Sequence, residues 1–393
     1  MADLINSKIW LSRPKLVCGV MTGTSLDSID IAFAKFDVGK KGDHEFKFLG
    51  GNEYKLHPKY AKTALKLINK NTPISDFSLF QVAYTHLIKG AIEKAAKDFE
   101  IKEDIDAISV HGQTLWHQPD KDEMFDLQLP HTLQAVSAST LSTLLEIPVV
   151  FDFRAADIAL GGNGAPLIPI FDYNFLKDEK EDVICLNIGG ISNITYIPKN
   201  SSDENLVAFD TGVGNILIDS AMLKYYRKKY DKDGKIAKSG KLDKALLELL
   251  LDDEYYKQAP PKSTGREKYS DTYFKNLVDF KENNDISDED FIATLTRFTA
   301  KTIAIAINMF TKNNAKIIVS GGGRKNKEII FALKKELPQN NVVMIESIGL
   351  NGDMKEALAF AYIAWRSIGG MYSNLPAATG AFRKTRLGAV SFN

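Results

Sequence analysis

Short apolar runs of six or seven residues alternate with longer stretches of helical spacing along most of the chain. "KLVCGVM" (15–21) is continuously apolar, breaks at "TGTSLDS", and resumes as "IDIAFAKFD", whose alternation predicts a half-buried strand paired back on the first. Helical patterns follow over about 60–70 and 76–98. "DIDAISVHGQTLWH" then supplies a third strand, "TLQAVSASTLSTLLE" (132–146) a helix, and "IPVVFDF" another strand. The second half repeats the rhythm. "DVICLNIGGISNITYIP" (182–198) is strand, glycine turn, strand, and "NLVAFDTGVGN" (205–215) ends a third strand in Asp210 and a glycine loop. A helix over 216–229, a charged loop-rich stretch over 230–270 and the helix "DEDFIATLTRFTAKTIAIAINMF" lead to the strand "AKIIVSGGGRKN". Another helix, the strand "NVVMIES" and a final helix near "DMKEALAFAYIAW" complete the pattern. Strands alternating with helices predict an α/β fold, and the shared rhythm predicts two related domains.

Composition narrows the class. The chain has 393 residues, enough at about 150 per domain for two domains with sizeable cores. Hydrophobic content of 44% and charged content of 25% are those of a soluble globular protein. Lys plus Arg and Asp plus Glu both number 50, so no global field favours nucleic acid or an acidic membrane surface. The first residues lack the pattern of a signal peptide, and no apolar run approaches the ~18 residues of a membrane span, which predicts a cytoplasmic protein. The two cysteines, Cys18 and Cys185, sit in apolar strands and are expected to be buried thiols.

Four constellations carry candidate chemistry. Gly23, Thr24 and Ser25 lie in the first hairpin turn, where amides and hydroxyls converge on an anion, and Asp27 and Asp30 add carboxylates suited to Mg²⁺. Gly189 and Gly190 form the equivalent turn of the second half, beside Asn187, Ser192 and Asn193. In "IIVSGGGRKN" three glycines separate a strand from a helix, where backbone approaches a ring or phosphate closely; the spacing is neither a dinucleotide fingerprint nor a Walker A loop. Finally, His111, Gln113 and His117 end one strand, and Asp152, Arg154 and Asp157 end another followed by "GGNG". Strand ends are where open α/β sheets place ligands. His111 and Gln113 are assigned to sugar contact. An aspartate there serves equally well as a general base or as a helix cap and ion-pair partner of Arg154.

In this order, "GVMTGTSLDSID", "VHGQTLWH", "DFRAADIALGGNGAPLIP", "LNIGGISNI", "AFDTGVGN", "SGGGRKN", "EALAFAYIAW" and "NLPAATGA" closely resemble the anhydro-N-acetylmuramic acid kinases, a family within the sugar-kinase, heat-shock-protein-70 and actin superfamily. The resemblance covers nearly the whole chain. It implies two actin-like (ribonuclease H-like) domains facing each other across a nucleotide-binding cleft. Their expected extents are 1–170 and 171–370, with 371–393 returning to pack on the first. It further implies ATP and Mg²⁺ as cofactors, a homodimer, and a reaction in which water opens the 1,6-anhydro bridge while O6 takes the γ-phosphoryl group. By motif position Asp157 would be the base, with Asp152 as the alternative, and Arg154 and Glu356 would help hold the sugar. Gly23, Thr24, Ser25, Asp27, Asp30, Gly189, Gly190, Gly212, Gly321 and Gly322 would line the nucleotide, and Asp27 and Asp210 would meet the metal.

Two departures stand out: Ser28 replaces the usual glycine after Asp27, and Val213 replaces the usual proline of the "DTGPGN" loop. The rival within the same structural group is a kinase of levoglucosan or another 1,6-anhydrosugar. The rival of another class is a non-catalytic actin-like nucleotide-binding or sugar-sensing protein, which is expected to carry a peptide-binding or polymer-forming extension.

Overall fold

The computed structural model describes residues 7–23, 26–68, 72–260, 262–265, 268–311 and 314–392. The chain divides into two compact units, the first made of 1–175 and 353–393 and the second of 176–352.

In the first unit the strands are β1 (Lys15–Met21), β2 (Ser28–Val38), β3 (His44–Lys55), β4 (Ala107–Val110), β5 (Gln113–Met124), β6 (Leu127–Ala135) and β7 (Val149–Phe151). The helices are α1 (Lys59–Leu67), α2 (Ile74–Asp98), α3 (Ala138–Leu145), α4 (Ala155–Ala159) and α5 (Pro169–Leu176). The second unit contributes β8 (Val183–Ile188), β9 (Ile191–Ile197), β10 (Val207–Val213), α6 (Ile216–Tyr226), α7 (Asp288–Asn308), β11 (Lys316–Ser320), α8 (Lys327–Glu336) and β12 (Asn341–Met344). The chain then returns to the first unit as α9 (Lys355–Ile368) and β13 (Ala389–Ser391).

The two main sheets share one topology. Their strand orders are β13-β7-β4-β1-β2-β3 and β10-β9-β8-β11-β12. In each, the first three strands run antiparallel as a meander and the next two lie parallel beside the first. That repeated order is the ribonuclease H-like, actin-like arrangement, and it confirms the internal duplication. The central strands are buried on both faces: β1 is buried at all seven positions. This is why they are continuously apolar.

Three features differ from expectation. The strand β3 pairs along the whole of β2 and was not anticipated. Residues 113–135 form a separate two-stranded ribbon, β5 with β6, so the helix expected from 132 begins only at Ala138. The helix α9 packs on β1 of the first unit, so the second unit ends at Gly352 instead of 370. Gly19 makes that packing possible, because a Cβ there would lie 2.0 Å from the Ala357 carbonyl oxygen.

Both cysteines are buried thiols outside any disulfide, as expected, and burial pushes the Cys18 thiol up. Among the described residues no helix is long and apolar enough to cross a membrane.

Candidate functional site

In the first unit, the strand ends bring together a connected polar network. His111 is 2% exposed and caps β4. Its Nδ1 lies 2.8 Å from the Gly112 carbonyl, and its Nε2 accepts from Arg154 Nε at 3.0 Å. A ring nitrogen that accepts from a guanidinium carries no proton, so Nδ1–H donates to Gly112 and the imidazole is neutral. Burial first, and Arg154 second, pull its pKa down to about 3. His117 is half-buried on β5 and is pulled down to about 4 by burial and then by Arg154. Its Nδ1 lies 3.1 Å from Thr132 Oγ1.

Arg154 Nη1 also donates to the Gly164 carbonyl at 2.6 Å, so the arginine ties the strand end of His111 to the "GGNG" loop. Burial pulls its guanidinium down to about 10, against the pull of Glu356 and Asp157, which leaves it charged at neutral pH. Glu356, half-buried in the first turn of α9, has its carboxyl raised by burial, opposed by Lys355 and Arg154. Lys355 itself forms a buried ion pair with Asp172 at 2.8 Å.

Asp157 is fully buried and accepts from Gly164 N at 2.9 Å on Oδ2, and from Asn374 Nδ2 and Thr379 Oγ1, both at 2.8 Å, on Oδ1. Three donors thus engage its two oxygens. A Cβ on Gly162 would come within 2.1 Å of its Oδ2, so the loop glycine is needed for this closeness. These hydrogen bonds join the "GGNG" loop to the C-terminal "NLPAATGA" segment through Asp157. Asn374 and Thr379 were not anticipated as site residues; the motif containing them was visible, but nothing local links it to a partner more than 200 positions away. Asp152 has a left-handed backbone (φ 56°) at the end of β7 and is exposed. No hydrogen bond or ion pair with the described residues orients its side chain.

The first turn follows β1. Gly23 is half-buried, while Thr24 and Ser25 lie outside the described residues. Asp27 is exposed and Asp30 faces Met21 across the hairpin. Burial, then Glu53, Glu356, Asp353 and Asp27, raise the Asp30 carboxyl to about 7. Carboxylates crowded in this way fit a divalent cation. Among the described residues no group of three or more His, Cys, Asp or Glu side chains is arranged as a metal cage.

In the second unit, three glycine segments pack on one another. The turn Gly189–Gly190 joins β8 to β9, and its carbonyls accept from Asn215 N (2.8 Å) and Gly214 N (2.9 Å). A Cβ on Gly214 would lie 2.3 Å from the Gly189 carbonyl oxygen. The loop after β11 closes from the other side: Gly321 has φ 78°, and a Cβ there would meet Asn187 Oδ1 at 2.4 Å. Gly322 instead is exposed with nothing within 4 Å of its Cβ position, and Asn326 caps α8 by accepting from Glu328 N and Ile329 N. Gly212 is buried against the Tyr256 ring, 2.5 Å from where a Cβ would stand.

Asp210 sits at a β-bulge of β10, half-buried. Its Oδ2 accepts from Ser263 Oγ at 3.1 Å and Thr264 N at 3.0 Å, and its carbonyl accepts from Tyr255 OH at 2.6 Å. Ser263 and Thr264, within the stretch expected to be loop-rich, are therefore strapped to this carboxylate. Asp210 and Asp27, both expected to meet metal, lie in different units.

Residues 15–393 match the family profile described as anhydro-N-acetylmuramic acid kinase. Relatives bearing that name are 35% identical over 395 residues in Caldanaerobacter subterraneus subsp. tengcongensis, covering 98% of both chains. The identity is 37% over 391 residues in Francisella tularensis subsp. novicida, covering 97% of this chain and 100% of that one. It is 35% over 386 residues in Salinibacter ruber, covering 96% of each. Solved structures match more distantly. The activator of 2-hydroxyisocaproyl-CoA dehydratase from Clostridium difficile, with bound ADPNP, has a TM-score of 0.46 at 11% identity, covering 90% of this chain and 96% of that one. Component A of (R)-2-hydroxyglutaryl-CoA dehydratase from Acidaminococcus fermentans has a TM-score of 0.43 at 11% identity, with 90% and 99% covered. The assignment rests on the sequence relatives: the chain belongs to the anhydro-N-acetylmuramic acid kinase family and is an ATP-dependent phosphotransferase.

Proposed function

We propose that this kinase acts on 1,6-anhydro-N-acetylmuramic acid, opening its anhydro bridge with water and phosphorylating O6 to give N-acetylmuramic acid 6-phosphate and ADP. The observation that carries the reading is the buried polar network at the strand ends of the first unit, where Arg154 joins His111 to the loop that Asp157 anchors. A carboxylate has about four acceptor sites, and the three donors on Asp157 aim it while leaving one for a water. Asp157 accepts the proton of the attacking water as the water oxygen bonds to the anomeric carbon. The bond from that carbon to O6 breaks, O6 takes the γ-phosphoryl group, and the bond to the β-phosphate oxygen breaks to release ADP. Charge on O6 is captured by phosphorus, so no separate acid has to protonate the leaving oxygen, a variation on inverting glycoside hydrolysis.

Around this chemistry Gly189, Gly190, Gly321 and Gly322 give the phosphates and nucleoside room and amides. Gly23, Thr24 and Ser25 act on the phosphates from the first unit. His111, Gln113, Arg154 and Glu356 contact or order the sugar. Asp27 and Asp30 are the residues suited to Mg²⁺, which when bound supplies charge neutralisation to the phosphate oxygens.

The test is ADP release with 1,6-anhydro-N-acetylmuramic acid, with levoglucosan, and without sugar. Turnover on the muramic sugar alone is expected. Preference for levoglucosan would change the substrate and keep the mechanism, while release independent of sugar would contradict the kinase reading.

A further inference from the structure

Two buried tyrosines outside the machinery described so far lie behind Gln113 in the first unit. Thr22, next to Gly23 of the first turn, bonds through Oγ1 to the Tyr84 hydroxyl on α2. The Tyr84 ring packs on that of Tyr60 on α1, the centroids 5.4 Å apart. Tyr60 OH donates to Gln113 Oε1 at 3.1 Å. Thr22, Tyr84, Tyr60 and Gln113 are 4%, 1%, 6% and 3% exposed.

A phenol has one proton, and an amide oxygen only accepts. The Tyr60 proton is therefore spent on Gln113, which fixes the orientation of the amide. With Oε1 turned to Tyr60, Gln113 has only its Nε2 edge left. One N–H of that edge reaches the Thr114 carbonyl at 3.2 Å. The other is a donor, matched to an acceptor oxygen on the ligand.

We propose that Tyr60, packed against the Tyr84 ring, is a positioning residue that makes Gln113 a hydrogen-bond donor to the sugar. This rests on Gln113 meeting the sugar, as proposed above. Gln113 then selects an acyl carbonyl, carboxylate or ether oxygen, and a flipped amide would lose that selection. A buried network with all members satisfied holds one orientation, and removing one hydroxyl frees it.

Tyr60→Phe, which keeps the ring, should raise the KM for the anhydrosugar about fivefold, the worth of one neutral hydrogen bond, with kcat and the KM for ATP near wild type. Tyr84→Phe should shift the same constant less. In a Gln113→Ala background, Tyr60→Phe should have no further effect on KM, because its target is gone. An equal rise in both backgrounds, or a lowered melting temperature with unchanged KM, would reduce the tyrosines to packing and overturn the inference. Failure of the wild type to turn over the sugar would overturn it through the reading on which it rests.

Discussion

Asp157 and Asp210 carry the same side chain in different surroundings. Asp157 is fully buried and meets three donors, whereas Asp210 is half-buried and accepts from Ser263 Oγ and Thr264 N. His111 shows the same dependence on context. Its folded pKa of about 3 lies below the ordinary 6.5, so above pH 6.5 neither folded nor unfolded chain carries a proton there. As pH falls from 6.5 toward 3 the unfolded chain takes up the proton and the folded chain refuses it, so stability is lost through that window. His111→Gln should therefore flatten the fall of unfolding free energy between pH 6.5 and 4 by up to about one proton's worth of slope, measured by urea titration at each pH. Identical slopes would mean that His111 titrates normally in the fold.

At the scale of elements, the glycine segments separate into those that pack and those that face open space. Gly214→Ala places a methyl against the Gly189 carbonyl and should destabilise the second unit by about 2 kcal/mol or more. Gly322→Ala meets nothing within 4 Å and should leave the melting temperature near wild type while raising the KM for ATP several-fold. Thermal melts paired with ATP kinetics check both, and the reverse ranking would mean that the nucleotide does not pass over Gly322. The turn at Gly189–Gly190 was legible because two alternating apolar runs flank a glycine pair, a strong local signal. The ribbon of β5 and β6 was not. Its outer half is exposed on both strands, and bulges lie between Thr114 and Trp116 and between Gln118 and Asp122. No clean period of two survives there, while Leu133, Val136 and Leu141 mimic a helical face.

Across the whole molecule, the duplicated topology was readable because each half repeats the same order of buried strands and turns. What the sequence could not show is which distant segments complete a site. Asn374 and Thr379 reach Asp157 across 217 and 222 residues, and α9 joins β1 through a glycine whose role appears only when the helix is laid against it. Motif position proposes Asp157 as the base with Asp152 as the alternative, and the hydrogen bonds of Asp157 are made by segments that motif position does not reveal. The most direct test compares kcat on 1,6-anhydro-N-acetylmuramic acid for Asp157→Asn and Asp152→Asn, with melting temperatures measured alongside. Asp157→Asn should lose at least about 100-fold in kcat, whereas the exposed Asp152→Asn should stay near wild type. A folded Asp157→Asn enzyme of near wild-type kcat would contradict the account.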